Sequence, residues 1–140
     1  MPTLPRAALL LLLTLAACDS GGGEIQPLGG LLYVSLQGSG TLLLESGLDL
    51  PCAPRIATEQ QNLGGRFSVS VLGVEEAAAG CSTVGAARTT IPIETGGANP
   101  LPIDLVFGGQ VDAYTYRTGS GPARLDTLRS TVTRLGPRPE

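Results

Sequence analysis

The sequence predicts an all-β domain, an antiparallel β-sandwich of about seven strands, with a small barrel as the alternative. Three observations carry that expectation. Short apolar runs are cut by Gly, Pro, Ser and Asn at spacings of roughly 8–15 residues. No long stripe of 3.6-residue period appears after residue 30, so helix is a minor component. Gly and Pro together supply 31 of the 140 residues, which suits turns more than helices.

The elements follow in order. Leu31–Leu36 and Thr41–Glu45 flank Gln37-Gly38-Ser39-Gly40 and read as a hairpin. Arg55–Asn62 and Glu75–Ala79 each suggest a single helical turn. Residues 66–74 alternate, with Phe67, Val69 and Val71 opposite Ser68 and Ser70, the pattern of a half-buried strand. Arg88–Glu94 is a short strand whose Pro92 lacks a ladder donor and so belongs on an edge or at a bulge.

Leu101–Phe107 and Gln110–Thr118 flank Gly108-Gly109, a two-residue turn that dictates a register. Phe107 pairs with Gln110, Leu105 with Asp112, Ile103 with Tyr114, and Leu101 with Tyr116. One face then gathers Leu101, Ile103, Leu105, Phe107, Tyr114 and Tyr116, and it should meet the core. A last strand falls within Leu125–Leu135, with Leu128 and Val132 as core candidates. Gly136-Pro137-Arg138-Pro139 cannot continue a ladder, and 136–140 reads as a disordered tail. Seven strands in such an order suit an immunoglobulin-like or transthyretin-like sandwich over 31–135.

Composition excludes much chemistry. The chain has no His, no Trp and no Lys, so all nine basic residues are Arg, set against twelve acids. Without His there is no Ser-His-Asp or Cys-His nucleophile. Without Lys there is no Schiff base and no P-loop lysine. Three Cys and no His argue against zinc or haem, so no cofactor is expected. A net charge of −3 leaves no basic footprint for nucleic acid. The domain is therefore expected not to be an enzyme.

The N-terminus carries the sharpest motif. Met1-Pro2-Thr3-Leu4-Pro5-Arg6 bears one positive charge, and residues 7–17 are apolar except for Thr14. As a helix these eleven residues would reach roughly 16 Å, about half of a bilayer core, which fits a secretory h-region and not a membrane span. The run ends Leu15-Ala16-Ala17-Cys18, followed by Asp19-Ser20-Gly21-Gly22-Gly23. Here the chain resembles bacterial lipoproteins, whose lipobox is a Leu, two small residues and a Cys. The resemblance covers only the first 20 or so residues. It implies cleavage between Ala17 and Cys18, a diacylglycerol on the Cys18 sulfur, and a new amine open to a further acyl group such as palmitate. It also implies a place in the bacterial cell envelope, anchored to a membrane and facing the periplasm or the cell exterior. Two or three chains, at about 0.8 kcal/mol per buried CH₂, anchor stably where one does not.

Cleavage before Cys18 leaves 123 residues with eight Arg against twelve acids. Asp19–Gly30, with five Gly and one Pro, is then a flexible tether of roughly 20 Å. Cys52 and Cys81 remain, an even pair in an oxidising compartment with no Cys-x-x-Cys spacing, and they are expected to form a structural disulfide. Closing that loop is worth roughly 3–4 kcal/mol.

Other candidates are weighed against simpler roles. Glu75-Glu76 with Asp49, Asp104, Asp112 and Asp126 could supply oxygen ligands for calcium or a carboxylate pair for glycoside hydrolysis. No Asp-x-Asp spacing supports the first and no Trp platform the second, so a solvated surface is the expectation and no metal is assigned. Tyr114 and Tyr116 share a strand face and are candidate partner-binding residues, with core packing as the plainer role. Arg117, Arg124, Arg129, Arg134 and Arg138 make the last quarter relatively basic, as edge-strand charges do. The function expected is a membrane-anchored, non-catalytic lipoprotein with a structural or partner-binding role in the envelope. The alternative is a specific binding module for a glycan, a metal ion or an assembly partner, and a small carboxylate hydrolase ranks below both.

Overall fold

The computed structural model describes residues 23–77 and 79–140. Ten strands follow one another: β1 (Ile25–Gln26), β2 (Leu32–Gln37), β3 (Thr41–Pro51), β4 (Ile56–Asn62), β5 (Phe67–Glu75), β6 (Val84–Pro92), β7 (Leu101–Phe107), β8 (Gln110–Arg117), β9 (Arg124–Arg129) and β10 (Thr133–Leu135). They form two sheets packed face to face, a β-sandwich. One sheet is ordered β4-β5-β7-β8-β9, with β1 pairing the C-terminal end of β5; the other is β10-β2-β3-β6. No helix forms among the described residues.

Both sheets are mixed rather than wholly antiparallel. β5 pairs β7 in parallel and β10 pairs β2 in parallel. From β2 onward the chain reverses at every connection between consecutive strands, whereas β1, antiparallel to β5, starts at the end where β5 finishes and runs the same way as β2. The β1–β2, β3–β4, β5–β6, β7–β8 and β9–β10 connections all lie at the end of the sandwich where the chain comes in, and the other four lie at the opposite end.

The core is the set of inward residues of both sheets. Leu32, Val34, Leu42, Leu44 and Ile91 from the four-stranded sheet meet Phe67, Val69, Leu101, Ile103, Leu105 and Tyr114 from the other, all fully or nearly fully buried. The register expected for the β7–β8 hairpin is the one found, from Phe107 opposite Gln110 to Leu101 opposite Tyr116. Its turn residues Gly108 and Gly109 both have positive φ, 57° and 75°, which is what a tight primed turn demands and what glycine alone adopts freely. The β2–β3 hairpin pairs Gln37 with Thr41, also as expected.

Five expectations need correction. Residues 55–62 are a strand and not a helical turn: β4 pairs β5 along its whole length with a bulge between Ala57 and Thr58. Only Ile56 and Ala57 of β4 are buried, so Thr58–Asn62 gives no alternating signal. The stretch expected to hold one last strand, Leu125–Leu135, holds parts of two, β9 and β10, and the chain crosses from one sheet to the other between them. Leu125 takes the core position that Leu128 was expected to fill, while Leu128 is 68% exposed on the edge. Within the expected tether, Ile25 and Gln26 pair with Glu75 and Val74 and Leu28 packs against the core, so the domain begins before Leu31. Residues 136–140 lie against the four-stranded sheet: Gly136 N–H donates to Val34 O, and Arg138 pairs with Asp49 at 2.6 Å.

Both long seams of the sandwich are stitched. On one side the chain itself passes from β9 to β10. On the other, Arg88 N–H donates to Pro54 O and Glu75 N–H to Arg55 O, which draws β6 against the start of β4. A register shift in β3 between Glu45 and Asp49 bends that strand toward the seam. The buried Ser46 closes the irregularity: its hydroxyl donates to Leu48 O and accepts from Ala87 N–H.

Candidate functional site

Cys18, Ala17 and the lipobox lie outside the described residues. The remaining candidate positions fall into four separate places.

Cys52 and Cys81 form a disulfide with Cα atoms 5.5 Å apart, inside the usual range for such a bond. It joins the β3–β4 turn to the β5–β6 connection at the end where the chain comes in. Cys52 and Ala53 both adopt positive φ, 69° and 43°, uncommon for residues with a Cβ. Cys52 N–H donates to Thr83 O and Ala53 N–H to Leu50 O, so this tight corner is held by hydrogen bonds as well as by sulfur.

Tyr114 and Tyr116 present no surface to a partner. Both are buried, because the hairpin register turns them into the core. Each instead ties one sheet to the other through its hydroxyl. Tyr116 O–H donates to Ser39 O in the β2–β3 turn. Tyr114 O–H donates to Thr133 Oγ1 on β10, since that oxygen's own proton is committed elsewhere. Burial is the main influence on the Tyr114 hydroxyl and raises its pKa.

The group that receives the Thr133 proton is Asp112, the only fully buried acid among the described residues. It stands on β8 opposite Leu105, on the apolar face of the hairpin. Oδ1 accepts from Thr131 N–H at 2.7 Å. Oδ2 accepts from Val132 N–H at 2.9 Å, Thr133 N–H at 2.7 Å and Thr133 Oγ1–H at 2.6 Å. Burial pushes its pKa up. The Thr133 hydroxyl and the three backbone N–H groups pull it down and win, so the carboxyl titrates below its ordinary value. Asp112 is thus an ionised clamp that captures the β9–β10 crossing and seats β10 beside β2. The hairpin register contained this signal, because it places an acid among Leu105, Phe107 and Tyr114 on the inward face.

The other acids are dispersed. Asp104 receives both of its contacts from Arg66, Asp126 pairs with Arg117 and Arg124, and Asp49 pairs with Arg138. Glu45 is buried and pairs with Arg88 at 2.8 Å. Glu75 and Glu76 are exposed. No three of these acids, alone or with cysteine, are placed to hold a metal ion among the described residues. Of the remaining C-terminal arginines, Arg129 donates to Val111 O and Arg134 to Thr133 O.

A cleft of about 550 Å³ opens at the end opposite the chain's entrance. Asn99 and Pro100, joined by a cis peptide, form one wall, and Arg117 to Arg124 form the other. Asn99 fixes the two walls together: its amide donates to Thr118 O and accepts from Thr118 N–H. Arg117 and Arg124 share the single carboxylate of Asp126, so the cleft carries excess positive charge in an otherwise acidic domain.

No protein family matches the chain, no curated protein does, and no solved structure does.

Proposed function

We propose that the chain is a membrane-anchored extracytoplasmic lipoprotein whose β-sandwich has a non-catalytic role in the cell envelope, as a structural or partner-binding domain. The observation that carries this reading is Leu15-Ala16-Ala17-Cys18 at the end of an eleven-residue apolar run. The Cys52–Cys81 disulfide supports it, since such bonds persist in oxidising compartments. The residue inventory supports the non-catalytic part: no His and no Lys leave few groups that titrate near neutral pH. Intact-mass analysis of the membrane fraction tests the reading. It is expected to find an N-terminal Cys18 carrying a diacylglycerol, with processing arrested by globomycin. An unmodified and freely soluble product refutes it.

The arginine cleft favours a second reading, a ligand-binding module. Two guanidinium groups sharing one carboxylate, with Asn99, Thr118 and Ser120 around them, suit a small anionic or polyhydroxylated ligand. Anionic sugars should raise the melting temperature of the protein and lose that effect in Arg124→Ala.

A further inference from the structure

We infer that the end of the sandwich where the chain enters rests directly on the bilayer, with its exposed apolar side chains in the interfacial layer. The inference rests on the lipoprotein reading and deepens it.

The first argument is length. Composition suggested a tether running to Gly30, but β1 is paired with β5 and Glu76 N–H donates to Glu24 O. Only six steps of chain then separate Cys18 from Glu24, and these can reach at most about 20 Å. A lipid-bearing Cys18 therefore cannot let this end of the domain travel far from the headgroups.

The second argument is where the apolar surface lies. Strand direction and register place Ile25, Leu31, Leu48, Val84 and Val111 at that same end, and all five are exposed. Val84, 70% exposed, closes the β3–β6 pair opposite Pro51; Leu48, 56% exposed, stands in the β3 irregularity and packs beside Gly30 next to Leu31. Leu63 lies alone in the turn at the opposite end. Isolated exposed apolar residues need no explanation, but several gathered where a lipid anchor joins do. Glu24, Glu75 and Glu76 stand exposed at the same end alongside Arg55 and Arg129, so this end has no cationic excess to draw it onto anionic lipid and suits a zwitterionic surface.

Seated this way, the strands stand away from the bilayer. The nine residues of β5 span about 30 Å, so the arginine cleft at the far end faces outward, where a soluble ligand or partner can reach it.

Tryptophan is absent from the chain, so one added Trp is a clean reporter. Leu48→Trp, Val84→Trp and, as control, Leu63→Trp are purified as full-length processed protein and reconstituted in phosphatidylcholine vesicles containing brominated lipid. Mass analysis of the same samples reports the lipid on Cys18. The Trp at 48 and the Trp at 84 should be quenched at least about twofold more than the Trp at 63, the expectation for side chains within 5–10 Å of the acyl boundary. Equal quenching of all three with lipid present on Cys18 overturns the docking and leaves the anchor standing. A blue shift at 48 and 84 without bromine quenching, growing with protein density, assigns this end to a second copy and also overturns it. Absence of lipid on Cys18 overturns both readings.

Discussion

Removing the Asp112 carboxylate is the sharpest test of how this sandwich is held together. Asp112→Ala takes one acceptor from each of four donors: three consecutive backbone N–H groups and the Thr133 hydroxyl. The donors sit around a fully buried side chain, so water does not replace the carboxylate freely. An orphaned buried donor costs about 1–3 kcal/mol, and stripping one partner from a buried charged network costs about 3–5 kcal/mol in all. Against a typical total of about 5–15 kcal/mol that is a large fraction. At about 4 °C per kcal/mol the melting temperature should fall by roughly 12–20 °C. Asp112→Asn keeps one oxygen but turns an NH₂ toward an N–H donor. It should cost less, roughly 1.5–3 kcal/mol.

The two variants also separate charge from shape. The folded-state pKa of Asp112 is depressed, so its contribution is present above the unfolded-state value of about 3.9 and is lost as pH falls through the lower folded-state value. The stability gap between wild type and Asp112→Asn should therefore be wide near neutral pH and shrink below about pH 4. Urea unfolding followed by circular dichroism measures the gap, and hydrogen exchange at Thr131–Thr133 locates it. A gap of under about 0.5 kcal/mol at neutral pH, or one that does not change with acid, would falsify the ionised-clamp account.

Other expectations are smaller in scope. Cys52→Ser opens a loop of 29 positions and should cost roughly 3–4 kcal/mol, seen as a sharp fall in melting temperature, with neither Cys52 nor Cys81 reacting with a thiol probe in the native wild type. Gly73 has φ 149°, and an added Cβ would collide with the Gln26 carbonyl oxygen, so Gly73→Ala should expel β1. Loss of amide protection at Glu76 and faster proteolysis around Gly29 would report that, with the rest of the domain intact. Leu125→Ala should cost about 2–3 kcal/mol while Leu128→Ala changes stability by less than about 0.5 kcal/mol; the reverse order would show that β9 faces the other way.

Local signals were enough wherever one face of a strand is buried and a turn has a single permitted geometry. Phe67, Val69 and the whole β7–β8 hairpin were legible for that reason, since the Gly108-Gly109 turn sets the register and a slip by one residue would expose Tyr114 and Tyr116. The same register sets Asp112 opposite Leu105 on the inward face, yet an acid of that type reads as solvated surface, and the structure corrects that expectation by burying it. What the register could not supply was the identity of the donors, because Thr131–Thr133 reach Asp112 only after the chain has crossed to the opposite sheet. β4 was illegible because an edge strand with five partly or fully exposed residues carries no alternation.

The sequence by itself determined an all-β domain, its best hairpin, the two cysteines left to pair and a motif resembling a lipobox, because each is a matter of neighbouring residues or plain inventory. Tertiary structure decided the rest. It made the sheets mixed, turned the candidate partner-binding tyrosines into ties between sheets and placed an ionised carboxylate at the seam. It also drew Ile25 and Gln26, part of the stretch expected to be a flexible tether, into a sheet edge. Those outcomes depend on groups far apart in the chain, and no local pattern encodes which distant donor or strand edge a residue will meet.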